Sequence, residues 1–289
     1  MTSTWTVTSP ISTPRPADRA GPSGPALIAF LSDYGTGDEF VGVVHAVLHR
    51  HAPQAQVIDL THQVERHDVR SGALTLWRAA PWLVPGVILA VVDPGVGTSR
   101  RAVAIEVAAA GAVLVGPDNG LLLPAALRLG PITEAVELGP SPEAPGATFA
   151  GRDVFAPAAG RTAAGIPVAD LGSSIDPESL SGEPVAAPTR TTDGIEAHVL
   201  WVDHFGNAQL NATPDDTGPD PVHVQVGSGP ALHLRIVTSY EAIAPDEYAL
   251  VVDSYGHLAI CCDRRSAAHR LALETGDPVL LRPDPDGHR

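Results

Sequence analysis

The chain contains no lysine: all 18 of its basic residues are arginine. That excludes Schiff-base lysine catalysis, and it excludes a Walker A loop, whose GKS/T signature is missing. Cysteine is nearly absent too. Two cysteines in 289 residues rule out a disulfide scaffold. Cys261 and Cys262 are adjacent, a spacing that suits neither a disulfide clip nor a zinc site, so they read as small core residues on a strand. Positive charge is scarce, with 18 basic against 33 acidic residues and a formal charge of −15. A nucleic-acid binder needs a basic stripe, and no arginine cluster here makes one. The expected ligand is small and neutral or cationic. No run approaches the ~20 apolar residues needed to cross a bilayer, so no membrane association is expected. Residues 1–25 are rich in Ser, Thr, Pro and Gly and lack an apolar h-region, which predicts a disordered tail rather than a signal peptide and a cytoplasmic protein.

What is present is a core. Hydrophobic residues make up 44% of the chain, enough for one large domain or two ordinary ones. The run Ala26-Leu27-Ile28-Ala29-Phe30-Leu31 ends at Ser32-Asp33 and a Gly turn, as a buried strand feeding a loop does. A helical pattern follows through Phe40, Val43, Val44, Val47 and Leu48, with Asp38 and Glu39 at its start. Residues 55–60, 86–92, 102–107 and 112–115 read as strands, and 68–82, 120–129 and 151–165 as helices. Strands alternating with helices predict an α/β domain over 26–180 with a largely parallel sheet. Its ligand site should lie beyond the strands' carboxyl ends, where Asp33 and Asp93 both fall. A Pro/Ser/Gly-rich stretch then gives a linker, bounded at 181–193. Short strands separated by Gly, Pro and Asp turns over 194–289 predict an all-β, barrel-like second domain. No internal repeat is visible.

Several stretches carry candidate chemistry. His45 and His49 are spaced i,i+4, and DLTHQVERHD (59–68) adds further histidines and acids. The HExxH glutamate is missing, so a metal-dependent hydrolase is set aside and no metal site is expected. Asp33 could accept both hydroxyls of a ribose diol, since a carboxylate has lone pairs for two donors. An Asx turn or helix cap would explain it as well. In VDHFGN (202–207) an amide could read an adenine edge, an aromatic could stack on the ring and a carboxylate could hold an ammonium. A plain β-turn around Phe-Gly-Asn explains the same residues.

Six blocks taken together narrow the choice: SDYGTGDEFVG (32–42), IDLTH (58–62), VVDPGVGTSRR (91–101), PDNGLL (117–122), TFAGRDVFAPAA (148–159) and VDHFGNAQLN (202–211). In this order they resemble the S-adenosyl-L-methionine (SAM) hydroxide adenosyltransferases, hydrolases grouped with the SAM-dependent chlorinases and fluorinases. The resemblance runs from about Leu27 to the C-terminus. It implies an N-terminal α/β domain, a C-terminal β domain and a homotrimer with SAM bound between neighbouring subunits. It implies that Asp33 binds the ribose diol, that Asp203 holds the methionine ammonium, and that Phe205 and Asn207 take the adenine. Ser254 would help at the methionine end, while Thr148 and Phe149 line the pocket. The reaction would be attack of water on C5′, giving adenosine and L-methionine, with SAM as substrate and no cofactor.

Asp93 and Arg100 would then be the catalytic pair. The halogenases carry Tyr at the Asp position, so Asp93 argues for hydroxide: at ~4 Å and an effective dielectric of ~20, a fixed anion repels a halide by about 4 kcal/mol. The third member expected, a histidine, is Ala150 here. Three readings follow: a second water fills that space, His67 compensates from a pocket-facing position, or the chain binds SAM and turns it over poorly. Asp263-Arg264 also departs from the family pattern of Asn and a small residue. A chlorinase and a non-catalytic SAM or adenosine binder are the alternatives.

Overall fold

The computed structural model describes residues 26–139, 146–217, 222–227 and 229–283; the expected disordered tail lies outside them. The chain divides into two compact units between Pro184 and Val185.

In the first unit, seven strands form one sheet: β1 (Leu27–Ser32), β2 (Gln56–Thr61), β3 (Gly86–Val91), β4 (Ala102–Val107), β5 (Ala112–Pro117), β6 (Glu134–Leu138) and β7 (Gly172–Ser174). Their order is β2-β1-β3-β5-β4-β6-β7. The first four in that order run parallel, and β4, β6 and β7 add antiparallel partners. Helices cover both faces, which is why β1, β3 and β5 read as unbroken apolar runs. Helices α1 (Phe40–His51) and α4 (Ala156–Ala163) pack on the face holding Ile28, Phe30, Val87 and Leu89. Helices α2 (Val69–Ala79) and α3 (Leu123–Leu129) cover Ala29, Leu31, Ile88 and Ala90 on the other. Each such aliphatic or aromatic side chain contributes about 1.5–3 kcal/mol when fully buried, so β1 and β3 anchor the sheet's centre.

The helix boundaries differ from expectation for identifiable reasons. Asp68 stands outside α2 as its cap, accepting from the Ser71 N–H at 2.9 Å. The helix stops at Ala79 because Pro81 has no N–H to continue it, and a 3₁₀ turn, Ala80–Trp82, follows. Helix α3 starts at Leu123, not 120, because Gly120 takes a left-handed φ of +96°. The segment from 151 opens with a π turn, Gly151–Phe155, before α4. Strands β6 and β7 were not expected at all.

The second unit is a nine-stranded sheet: β8 (Thr189–Thr191), β9 (Gly194–Val202), β10 (Ala208–Leu210), β11 (Val222–Val226), β12 (Leu232–Leu234), β13 (Ile236–Val237), β14 (Tyr248–Val252), β15 (Leu258–Cys262) and β16 (Pro278–Pro283). The order is β12-β11-β16-β9-β10-β15-β14-β13, with β8 beside β9. The sheet curls towards closure as a barrel. β8 lies inside the stretch read as a linker and pairs Arg190 with Ile195. Cys261 and Cys262 are buried on β15, and neither is in a disulfide. Burial first, then the charges of Asp203 and Asp253, push the Cys261 thiol up to about 12, which leaves it unreactive.

Candidate active site

Strand β1 lies between β2 and β3, so the chain leaves it to one side and returns on the other. That is a topological switch point, and it opens a crevice beyond the carboxyl ends of β1 and β3. Asp33 follows β1 and Asp93 follows β3, joined there by the Asp33 N–H donating to Val91 O at 3.3 Å.

The loop after β3 is wound by its own sequence. The Val96 N–H donates to Asp93 O at 3.2 Å and the Thr98 N–H to Gly95 O at 3.2 Å. Gly97 takes a φ of +79°, open to glycine at little cost. The Thr98 hydroxyl donates to Gly95 O at 2.7 Å and accepts the Arg100 N–H at 3.3 Å. These tight turns bring Arg100 back onto Asp93. Its Nε donates to Asp93 Oδ1 at 3.0 Å and its Nη2 to Oδ2, a two-pronged pair. A third nitrogen, Nη1, donates to Arg101 O at 2.9 Å. The Arg100 and Asp93 side chains are only 12% and 6% exposed. Burial pushes the Asp93 carboxyl up; Arg100 and the Gly95 N–H pull it back, Asp33 adds to the rise, and the net direction is upward. A buried carboxylate poised this way is suited to accept a proton.

Neighbouring motifs fasten this loop. Arg101 donates through Nε to Asp118 Oδ2 at 2.8 Å, and Asp118 Oδ1 accepts the Ser181 N–H at 2.7 Å. Asn119 Nδ2 donates to Val92 O at 2.9 Å, tying the end of β3 to the PDNG turn. The sequence marked PDNGLL as a block but did not reveal that job.

Asp33 Oδ2 accepts the backbone N–H of His67 at 3.0 Å. His67 holds a left-handed φ of +66° to make that bond, so its definite contribution is main-chain and its side chain is exposed. Phe149 packs edge-on against Tyr34 at 5.9 Å and Phe40 at 5.1 Å, while Thr148 is exposed. Tyr34 was missed as a functional candidate. Burial, then the charges of Asp33 and Asp93, hold its phenol well above the ordinary range, so it stays protonated. A Cβ on Gly151 would lie 2.2 Å from the Tyr34 hydroxyl, so the glycine of FAGRD is what admits that hydroxyl beside Ala150.

In the second unit, Asp203, Asn207 and Ser254 line a cavity of about 500 Å³ together with Gln209, Tyr240 and Asp253. The Asp203 carboxylate is occupied by its own turn. Oδ1 accepts the Phe205 N–H at 2.9 Å and the Asn207 N–H at 2.8 Å, and Oδ2 accepts Asn207 Nδ2 at 2.8 Å. Phe205 projects outward, 76% exposed, and is not part of the cavity wall. Arg264 takes a left-handed φ of +51° in the exposed turn after β15, with Asp263 beside it.

The second unit uses one turn geometry twice. Asp253-Ser254-Tyr255-Gly256-His257 copies the Asp203–Asn207 loop. Asp253 Oδ1 accepts the Tyr255 N–H at 2.8 Å and the His257 N–H at 2.9 Å, the same two positions along. Both loops close with an Asp N–H to a carbonyl four residues on, and both carry glycine at φ +83°. Only Asp and Gly are shared, which is why the repeat is hidden in sequence. Gln209 Nε2 donates to Asp253 Oδ2, tying the second loop to β10.

A parallel-sheet switch point with a buried Asp–Arg pair, followed by a separate β unit, is an architecture suited to a two-domain α/β enzyme acting on a small molecule. Residues 28–172 match the SAM hydroxide adenosyltransferase N-terminal domain and residues 197–280 its C-terminal domain. A protein of Salinispora arenicola (strain CNS-205), named (R)-S-adenosyl-L-methionine hydrolase, is 47% identical over 258 residues, spanning 88% of this chain and 97% of its own. One of the same name from Thermus thermophilus is 42% identical over 264 residues, with 88% and 98% covered. A fluorinase of an Actinoplanes species is 24% identical, with 90% and 98% covered. The crystal structure of an uncharacterized conserved protein from Thermotoga maritima superposes with a TM-score of 0.81 at 31% identity, over 88% of this chain and 99% of that one. The chain belongs to the SAM hydroxide adenosyltransferase family.

Proposed function

We propose that this chain hydrolyses SAM to adenosine and L-methionine, with a water placed by Asp93 and Arg100 attacking C5′. The observation that carries the reading is the buried Asp93–Arg100 pair at the switch point, with the Asp93 carboxyl raised. Each Asp93 oxygen accepts one N–H from Arg100, and with the Gly95 N–H also on the carboxylate one lone pair is left for a water proton. The water oxygen bonds to C5′, the C5′–S bond breaks, and its electron pair neutralises the sulfonium. The proton released by the water passes to Asp93 and then to solvent. Charge disappears from the leaving group, so a water-poor pocket favours the displacement. No metal is required by these steps.

The other expected residues have groups left over for the substrate. Asp33 has one oxygen on the His67 N–H and lone pairs left for a ribose diol. Asn207 spends one amide proton on Asp203 and keeps a second, with its carbonyl, for an adenine edge. Asp203 Oδ2 retains a lone pair for an ammonium. Phe205 supplies an exposed ring for stacking, Ser254 a hydroxyl near the methionine end, and Thr148 and Phe149 line the pocket. The family resemblance also implies a homotrimer, which belongs to the same proposal. A cytoplasmic location goes with the same reading. The relatives' names specify the (R) configuration, and we extend that preference to this chain.

The test is to incubate the purified chain with each sulfonium epimer, with a chelator present, first without halide and then with chloride, and to separate the nucleosides with mass detection. Catalytic adenosine and methionine from the (R) epimer are expected. Chloride-dependent 5′-chloro-5′-deoxyadenosine would make it a chlorinase. Ala150 favours one second reading, a SAM binder without turnover; tight binding and no product would establish that instead.

A further inference from the structure

His45 and His49, the i,i+4 pair set aside as a metal site in the sequence, do not share a cluster among the described residues. His45 of α1 turns instead to β2, where its Nε2 lies 2.8 Å from Asp59 Oδ1. His62, just beyond β2, brings its own Nε2 to 3.1 Å from the same oxygen. The three ligand atoms lie within 4.8 Å of one another, and this is the one such group of His, Cys, Asp and Glu among the described residues. We propose that His45, Asp59 and His62 form a binding site for a divalent first-row transition metal, zinc being the fitting case, which clamps α1, β2 and the loop after β2 together.

Three observations support it beyond proximity. First, His62 is 6% exposed, and its Nε2 sits 3.1 Å from Asp59 Oδ1 without forming a well-aligned hydrogen bond. A buried imidazole nitrogen so poorly served is disfavoured unless something else receives it. A cation in front of both imidazoles would. Second, the His62 ring is held from behind: its Nδ1 is 2.8 Å from the Ser32 hydroxyl, and Phe30 packs on it at 4.6 Å. A ligand imidazole characteristically has its other nitrogen fixed by such a partner. Third, the chemistry of the set fits. Two imidazoles and one carboxylate are a zinc donor set that leaves an outer position for water. The His45 and Asp59 side chains are 35% and 42% exposed, so an ion has a way in. Zn–N and Zn–O distances of about 2.0–2.2 Å place tetrahedral donors roughly 3.4 Å apart. The existing 2.8 and 3.1 Å separations need to open by about half an ångström, which His45 can supply from its helix surface.

None of the groups assigned to the hydrolysis is a ligand of this site. The full chain, stripped with a chelator and then dialysed free of it, is titrated with Zn²⁺ against a chromogenic chelator. Co²⁺ is added in parallel to read its visible d–d bands. One equivalent per chain is expected, with d–d intensity typical of four or five ligands, and a rise in Tm on zinc addition. His45→Gln and Asp59→Asn should each lower zinc affinity by more than ~100-fold and remove the Tm rise, while Ser32→Ala should lower it by ~10–100-fold, as loss of an outer partner does. His223→Gln should leave it unchanged; the His223–His233 stack at 3.8 Å is the other close histidine pair. No bound equivalent in the folded wild-type chain overturns the proposal, and that arm needs no variant. So does undiminished affinity in His45→Gln or Asp59→Asn. SAM turnover that ignores the chelator is compatible with the site, so the two readings fail separately.

Discussion

Asp93 and Asp203 both stand where a β-strand ends and a glycine-bearing loop begins, yet the two loops use the carboxylate in opposite ways. The Asp203 loop folds around its aspartate: two backbone N–H groups and the Asn207 amide converge on it, all from the next four residues. The Asp93 loop gives its aspartate one backbone N–H, from Gly95, and then delivers a charged partner from seven residues on. The first arrangement makes the carboxylate part of the turn. The second leaves it neutralised from one side, open on the other and raised by burial, which is a condition for proton transfer rather than for loop stability. The identity of a residue at a strand end is therefore a poor guide to its job. Where its hydrogen bonds come from decides.

The largest effect that could break this contrast is on turnover. Asp93→Ala should lower kcat by ~10²–10⁴, the usual worth of a positioned base. SAM affinity, measured calorimetrically, should stay within a few-fold. Full activity in that variant would remove Asp93 from the chemistry. For Asp203→Ala the primary loss should be in folding. Three hydrogen bonds at ~1 kcal/mol each predict ~2–3 kcal/mol in denaturant unfolding. Asp253 sharpens the comparison, because its loop copies the first. Asp253→Ala should cost a similar amount of stability, so any excess loss of SAM affinity in Asp203→Ala over Asp253→Ala measures what Asp203 does beyond holding its turn.

A smaller effect tests how the pocket beside Asp93 is shaped. Gly151→Ala places a methyl against the Tyr34 hydroxyl and should cost ~1–3 kcal/mol as overpacking. Adding Tyr34→Phe should recover part of it, and the double-mutant cycle reads the coupling directly. If the two changes are additive, the hydroxyl is not what the glycine accommodates.

The sequence showed the parts of this contrast that are local. Apolar runs ending in Asp33 and Asp93 announced strand ends at a candidate site, and parallel alternation announced the switch-point crevice. What joined Arg100 to Asp93 was not local. It depends on turns whose hydrogen bonds no periodicity reports, and only the likeness of VVDPGVGTSRR to a known family supplied it. Tyr34 was hidden because its role depends on Gly151, far along the chain. The His45–Asp59 contact joins residues 14 apart by the packing of α1 against the sheet, so the i,i+4 spacing of His45 and His49 does not report it. The edge strands β6 and β7 escaped because Glu134-Ala-Val-Glu-Leu is short and weakly alternating, and Gly-Ser-Ser carries almost no strand signal.

The finest test uses pH. If Asp93 is the base, it works only when deprotonated, so kcat/KM should rise with pH through its folded value. Burial raises that value, and so the acid limb should lie above the ~3.9 of an ordinary aspartate. Arg100 opposes the rise, by its charge and its hydrogen bonds. Arg100→Gln removes that opposition, and the residual activity should show a limb moved further to alkaline pH, beyond any drop in its plateau. The same sign governs folding. A carboxyl whose folded value is raised contributes stability below its unfolded value and loses that contribution as pH climbs through the folded one. Near neutrality the fold therefore bears the cost of an ionised Asp93, which is the expected condition of a group kept for reaction and not for packing. A limb at or below the ordinary aspartate value, or one that moves to acid pH in Arg100→Gln, would place the titration on another group and leave the Asp93–Arg100 pair a structural clamp like the Asp203 turn.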